Sequence, residues 1–384
     1  MLGAHIKQSL TVLQTLPALQ GGGVERGTLD VAAELVRRGH RSLVMSAGGR
    51  LVPKLIATGS EHITCPVGHK SPTSLRYVLQ LRSLFKSAGI DIVHARSRLP
   101  AWIAWLAWSS MDAMIRPRFV TTIHGLYSVN AYSAVMMKGE QLIAVSDCAR
   151  EYVVNNYPSV DASRIHVIYR GVDPVMYPAG FKPREAWLAD WYRRYPQLQD
   201  RFVITLPGRV GRRKGVFDFI SIIADLRRSG HAVHGLIVGE IAKHNLKLAG
   251  QLEAAAKAAG INDAISYTGF REDIREIMSV SNAIVSLSAH PESYGRTVNE
   301  ALSLGIPVVG YAHGGVGEQL ARHFPAGAVS PGDRSAVVER LGAWHAVAPE
   351  MQGVQPCLLQ DMLNDTLGLY EQLAEERQGP SLRA

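Results

Sequence analysis

Cysteine is scarce in this chain of 384 residues, and the three present, Cys65, Cys148 and Cys357, are far apart and odd in number. They form neither a disulfide framework nor a metal-ligand cluster, so a reducing compartment is the expectation. Long apolar runs are also lacking. The most apolar stretch, Pro100 to Met111, is too short to cross a bilayer, and the first residues do not join a basic segment to an apolar run. Neither secretion nor a membrane span is expected, which leaves the cytoplasm. No low-complexity tract and no repeat of solenoid period is present. Charged residues make up 19% and hydrophobic ones 47%, an ordinary globular mixture that leaves little room for disorder beyond the ends.

What is present is enough chain for two domains, each able to bury its own core. Short β-type runs alternate with amphipathic stretches in both halves, the pattern of a parallel sheet covered by helices. In the first half, strands are predicted at Leu10–Leu16, Arg41–Ser46, Ile90–His94, Arg118–His124, Gln141–Ser146 and Ile165–Tyr169, with helices at Gly27–Arg38, Ser74–Ser87 and Ser146–Asn156. The segment Gly171–Pro178 interrupts the alternation and marks a junction. A second sheet is predicted from Phe202–Pro207, His234–Val238, Ile265–Thr268, Ala283–Ser288 and Pro307–Tyr311, and a closing helix over Leu358–Glu376.

The net charge of +8 is unevenly placed: residues 1–173 hold 19 Lys and Arg against 11 Asp and Glu, while residues 174–384 hold 22 of each. A basic field of this kind attracts an acidic lipid surface or a phosphorylated acceptor, or merely keeps the surface soluble. No nucleic-acid motif accompanies it. Trp102, Trp105 and Trp108 recur every third residue after Arg96 and Arg98. Such a stripe either packs in a core or seats a basic protein in the bilayer interface.

Three clusters carry chemistry. Gly21, Gly22 and Gly23 follow the first strand, where backbone amides and a helix dipole can meet an anion. Against a dinucleotide fingerprint, the next glycine is Gly27, one place late, and no acid ends the second strand. In the second half, Gly208, Arg209, Lys214 and Gly215 lie just beyond a strand and place two cations where a diphosphate would suit them. Third is His290 to Val309, HPESYGRTVNEALSLGIPVV. A helix beginning near Gly295 or Arg296 would leave Glu292 in the preceding loop and set Glu300 about one turn inside, with both carboxylates turned to one cleft. A carboxylate accepts two hydrogen bonds from vicinal hydroxyls, and free amides at a helix start hold a phosphate.

Taken together these residues resemble family 4 glycosyltransferases of GT-B architecture over nearly the whole chain. The pattern is met by Glu292, Glu300, Ala301, Gly305, Pro307, Val308 and Val309, with Arg209 and Lys214 before it, Gly171 to Asp173 at the junction, and Gly314, Gly315 and Glu318 after it. Departures are Tyr294, Arg170 before Gly171, and the sequence Val238, Gly239, Glu240.

The resemblance implies two α/β, doubly wound, Rossmann-like domains facing across a cleft: an acceptor domain at 1–175, onto which the helix at 358–377 packs back, and a donor domain at 176–357. It implies that Glu300 binds ribose hydroxyls, that Glu292 contacts the transferred sugar, and that Arg209 and Lys214 neutralise the diphosphate. His124 would face the donor sugar. Gly22 and Gly23 would line the diphosphate side, the backbone of Tyr294, Gly295, Arg296 and Thr297 would help hold sugar and phosphate, and Gly208 and Ser293 would belong to the same donor-binding set. The implied reaction retains anomeric configuration, needs no metal or cofactor, and passes a sugar from a nucleotide sugar, with UDP favoured, to a glycan or lipid-linked acceptor. That acceptor places the enzyme in lipopolysaccharide or other cell-surface polysaccharide synthesis, with peripheral contact to an anionic membrane face. Three rival readings remain: a binder of nucleotide sugars or glycans without activity, a dehydrogenase, and a glycosidase, which would need no cationic cradle.

Overall fold

A computed structural model describes residues 9–69, 72–241, 245 and 247–378. The chain forms two compact units, one running through Arg170 and resuming at Gln360, the other spanning Gly171–Leu359.

The first unit holds seven strands: β1 Thr11–Thr15, β2 Arg41–Ser46, β3 Glu61–Thr64, β4 Ile92–Ala95, β5 Arg118–Ile123, β6 Gln141–Ala144 and β7 Ile165–Val167. They pair in the order β3-β2-β1-β4-β5-β6-β7, every pair parallel. Its helices are α1 Gly23–Arg37, α2 Val52–Ala57, α3 Arg76–Ser87, α4 Arg98–Ser109 and α5 Asp147–Asn156. The second unit follows with α6 Glu185–Arg194, β8 Phe202–Pro207, α7 Val216–Arg228, β9 Val233–Val238, α8 Lys247–Ala258, β10 Ile265–Gly269, α9 Ile274–Ser279, β11 Ala283–Ser286, α10 Arg296–Ser303, β12 Val308–Tyr311, α11 Gly314–His323, β13 Ala328–Val329 and α12 Arg334–Ala346. This sheet is parallel as well, in the order β10-β9-β8-β11-β12-β13. The last helix, α13 Leu359–Gln378, enters the first unit at Gln360.

Both orders are doubly wound. The strand sequence reverses between β1 and β4 in one unit and between β8 and β11 in the other, and a ligand crevice opens at the carboxyl ends of such strands. The central strands are runs of Val, Ile and Leu because helices cover both faces and leave no wet side. In the second unit Ile204, Phe219, Ile223, Ile237, Ile284 and Val308 share one core.

Two strands escaped sequence reading, β3 and β13. The first is half-exposed at the sheet edge and the second only two residues long, so neither carries a buried apolar run. Helix α1 begins at Gly23, not at Gly27 as the pattern indicated, with Gly22 as its N-cap and Gly27 already buried. Glycine's weak helix propensity hid that first turn, which the packing of Thr28 and Leu29 stabilises.

Trp108 is a core residue whose Nε1 donates to Pro117 O at 2.7 Å, whereas Trp102 and Trp105 are half-buried with their rings edge to face. Among the described residues no helix is long and apolar enough to cross a membrane.

Helix α13 is fastened to the first unit through polar as well as apolar contacts. Its Tyr370 is fully buried, with the hydroxyl 2.6 Å from His94 Nδ1, and Leu373 O accepts from Arg118 Nε at 3.1 Å. The other nitrogen of His94 meets Thr122 Oγ1 at 2.6 Å. Burial holds this imidazole well below the usual histidine range, with Arg96 and Arg170 adding to the effect, so it is neutral between two hydroxyls.

Candidate donor and acceptor sites

The candidate residues of the second unit follow β8 and β11, the two strands between which its strand order reverses. After β8, Gly208 N donates to Val238 O and Arg209 lies exposed. The chain then makes a 3-10 turn over Arg212–Lys214 and enters α7 through Gly215. Gly215 is left-handed, φ 72, and a Cβ there would lie 1.9 Å from Leu287 O. Only glycine lets this turn press against the segment that follows β11. Ala289 N donates to Arg213 O at 2.9 Å and closes the same contact.

That approach delivers Lys214 to Glu292. Their Nζ and Oε1 are 2.7 Å apart, and Ser288 Oγ donates to the same carboxylate oxygen. His313 Nε2 holds Ser288 O at 2.8 Å. The pair is partly exposed, 38% for the lysine and 22% for the glutamate, which leaves it open to a ligand. Glu300 lies one turn inside α10, buried, with Arg296 Nη2 at 3.6 Å from its Oε1. Glu292 stands in the loop before that helix, as the sequence indicated.

The loop carrying Glu292, Ser293 and Tyr294 is shaped by α11. Gly315 N donates to Glu292 O at 2.7 Å, and a Cβ on Gly315 would lie 2.5 Å from Tyr294 Cα. Gln319, buried in α11, donates to Tyr294 O and, at 3.0 Å, to Gly315 O. Tyr294 is buried, while Ser293, Gly295, Arg296 and Thr297 are half-buried around the start of α10. Ser288, His313 and Gln319 are contributors that sequence reading missed. A serine at a strand end and a glutamine inside an amphipathic helix carry no local signal, although Gln319 on an otherwise apolar face was a clue.

The remaining candidates belong to the first unit, at the carboxyl edge of its sheet. Gly22 and Gly23 form the start of α1, where Glu25 folds back toward Gly22 and Arg50 lies against Gly21. His124 is half-buried just after β5. Burial holds its imidazole well below the usual range, and the guanidinium groups of Arg170 and Arg96 add to this, so it is neutral at pH 7. It offers a hydrogen bond and not a charge. The hydroxyl of Tyr127 is hydrogen-bonded by the His124 backbone, and Arg98 stacks on the Tyr127 ring at 4.8 Å, so the loop after β5 is held by its own aromatic side chain.

Comparison with known proteins bears on this arrangement. Residues 21–175 match the family described as Glycosyltransferase Family 4, and residues 191–346 match Glycosyl transferases group 1. A 2-deoxystreptamine glucosyltransferase of Streptomyces kanamyceticus is 30% identical over 132 residues, 34% of this chain and 33% of the relative. This match therefore spans about a third of that relative's length. A glycosyltransferase structure from Rickettsia africae superposes with a TM-score of 0.84 at 27% identity, covering 95% of this chain and 99% of the other. Anabaena Alr3699/HepE, solved with UDP and glucose, has a TM-score of 0.77 at 18% identity, covering 94% and 99%, a likeness of fold.

Proposed function

Because this chain belongs to the family 4 type of glycosyltransferase with GT-B architecture, we propose that it moves a hexose from a UDP-sugar to a glycan or lipid-linked acceptor, with retention of anomeric configuration. The observation that carries this reading is the convergence of Lys214, Glu292 and Ser288 beside the Arg296–Glu300 pair at the switch point of the second sheet. Lys214 and Arg209 stabilise the departing diphosphate as point charge and planar fork, which is the work a metal would otherwise do. Glu300 accepts the ribose hydroxyls. Glu292, its carboxylate oriented by Ser288, accepts a hydroxyl of the transferred sugar. The leaving phosphate takes the acceptor proton on the face it departs from, which accounts for retention without a protein nucleophile. His124 supplies a neutral hydrogen bond to the donor sugar.

The test is a thermal-shift panel of nucleoside diphosphates and their sugars, with and without chelator, on wild type and Glu300→Ala. Ligand at about 100 times its Kd stabilises the native state by about 2.7 kcal/mol. Chelator-resistant stabilisation by UDP and one UDP-sugar, lost in the variant, is the expected result. No response to any nucleotide overturns the reading. Binding with no donor turnover, even without acceptor, would leave a binder in place of an enzyme.

The acceptor proposal extends to cell-surface polysaccharides such as lipopolysaccharide, made at a cytoplasmic membrane face. Its support is the basic excess of residues 1–173 together with two exposed leucines, Leu75 at the N-cap of α3 and Leu79 within that helix between Arg76 and Lys86. Co-sedimentation with vesicles containing anionic lipid, weakening as salt rises, is expected; indifference to such vesicles at low salt removes membrane contact.

A further inference from the structure

Helix α10 has eight residues, and three of its polar side chains are buried: Asn299, Glu300 and Ser303. Glu300 belongs to the donor site described above. Asn299 and Ser303 do not, and their burial needs another account, because an unsatisfied buried amide or hydroxyl is costly.

Asn299 spends both ends of its carboxamide on one residue. Its Nδ2 donates to Cys357 O at 2.9 Å, and its Oδ1 accepts from Cys357 N at 3.1 Å. Cys357 O also accepts from Val172 N at 2.9 Å, and Val172 O in turn accepts from Leu359 N at 2.8 Å. Val172 and Leu358 thereby form an isolated parallel bridge, so close that a Cβ on Gly171 would lie 2.1 Å from Leu358 O. Ser303, one turn on from Asn299, donates to Tyr177 O at 2.7 Å, and Leu304 O accepts from Gly180 N at 3.0 Å.

These are the two places where the chain passes between its compact units, once on leaving Arg170 and once on returning at Gln360. Both passages are tied to each other and to α10. Helix geometry places the stripe Asn299–Ser303 about 60° round the axis from the stripe Arg296–Glu300. One side of the helix thus carries the nucleotide-contacting carboxylate, and the neighbouring side holds both passages.

We propose that Asn299 and Ser303 are positioning residues that couple nucleotide occupancy at Glu300 to the crossing segments 171–180 and 357–359. The inference rests on the donor-site reading given under the proposed function. Any displacement of α10 that accompanies ribose binding moves hydrogen-bonded partners in both segments, because the links are direct and the helix is a stiff body. Neither side chain touches the substrate.

Hydrogen exchange tests the coupling without a known acceptor. The wild type is titrated with UDP, GDP and ADP, and the one that binds is used throughout. Its binding is expected to slow exchange at the amides of Val172 and Leu359, whose acceptors lie within the crossing. In Asn299→Ala the nucleotide still binds, with Kd within about threefold of wild type, but the added protection at these amides disappears and kcat for donor turnover falls roughly tenfold, within the range of such couplings. Ser303→Ala, a milder change, shows the same split at smaller amplitude and serves if Asn299→Ala does not fold. Absence of binding by wild type defeats the donor-site reading itself. Binding by wild type with unchanged exchange at Val172 and Leu359, or parallel loss of Kd and kcat in both variants, overturns the coupling alone.

Discussion

Lys214→Ala is expected to reduce donor turnover by about 100-fold to 1000-fold in kcat/KM, the range found when one donor to developing negative charge is removed. Lys214 is the ammonium that the structure places against Glu292, at 2.7 Å. Under the proposed reading, its loss leaves Arg209 as the one remaining cation for the diphosphate and leaves the Glu292 carboxylate without its ion-pair partner. The fold should tolerate the change, since partly exposed ion pairs of this kind contribute about 1 kcal/mol or less. The measurement is steady-state hydrolysis or transfer alongside a melting curve. Turnover within threefold of wild type, with an unchanged melting temperature, would remove Lys214 from the mechanism.

A second large effect is expected at Gly315, this time on stability and site together. Its Cβ position lies 2.5 Å from Tyr294 Cα and 2.7 Å from Ser293 O, which are backbone atoms that cannot swing aside. Gly315→Val must therefore push the loop bearing Glu292 and Ser293 away from α11, breaking the Gly315 N to Glu292 O bond. Overpacking against backbone costs about 3 kcal/mol, and nucleotide binding should weaken as Glu292 moves from Lys214. Denaturant unfolding of the variant, read beside nucleotide affinity, checks both halves. By contrast Gly250→Ala, where nothing lies within 4 Å of the added Cβ in helix α8, should leave nucleotide affinity unchanged and raise stability by about 1 kcal/mol, since alanine is the better helix former.

Much of this architecture was legible from local pattern. Arg41–Ser46 and Phe202–Pro207 are strands with the predicted bounds, and Gly295 does precede a helix that carries Glu300. Each of these is written in a few adjacent residues, as an apolar run closed by a turn residue or as a periodic face. Among the elements that were not named, β3, β13 and the first turn of α1 are ones whose conformation is decided by neighbours and not by their own composition.

The chain's own order of residues was enough to determine the parallel α/β class and two units, and to single out Arg209, Lys214, Glu292 and Glu300 as candidate site residues. Hydrophobic periodicity and glycine placement are local properties, and they survive in one dimension. Which groups meet was decided only by tertiary structure. Lys214 reaches Glu292, 78 residues away, because Gly215 lets the turn after β8 press on Leu287; Gln319 shapes the loop at Tyr294 from the next helix; Asn299 spends its amide on Cys357, 58 residues away. His124 and Arg170 are 46 places apart in the sequence, yet that guanidinium helps to keep the imidazole neutral. Hydrogen bonds and charge interactions act over a few ångströms in space and are blind to separation along the chain, so no reading of the sequence alone could have paired them.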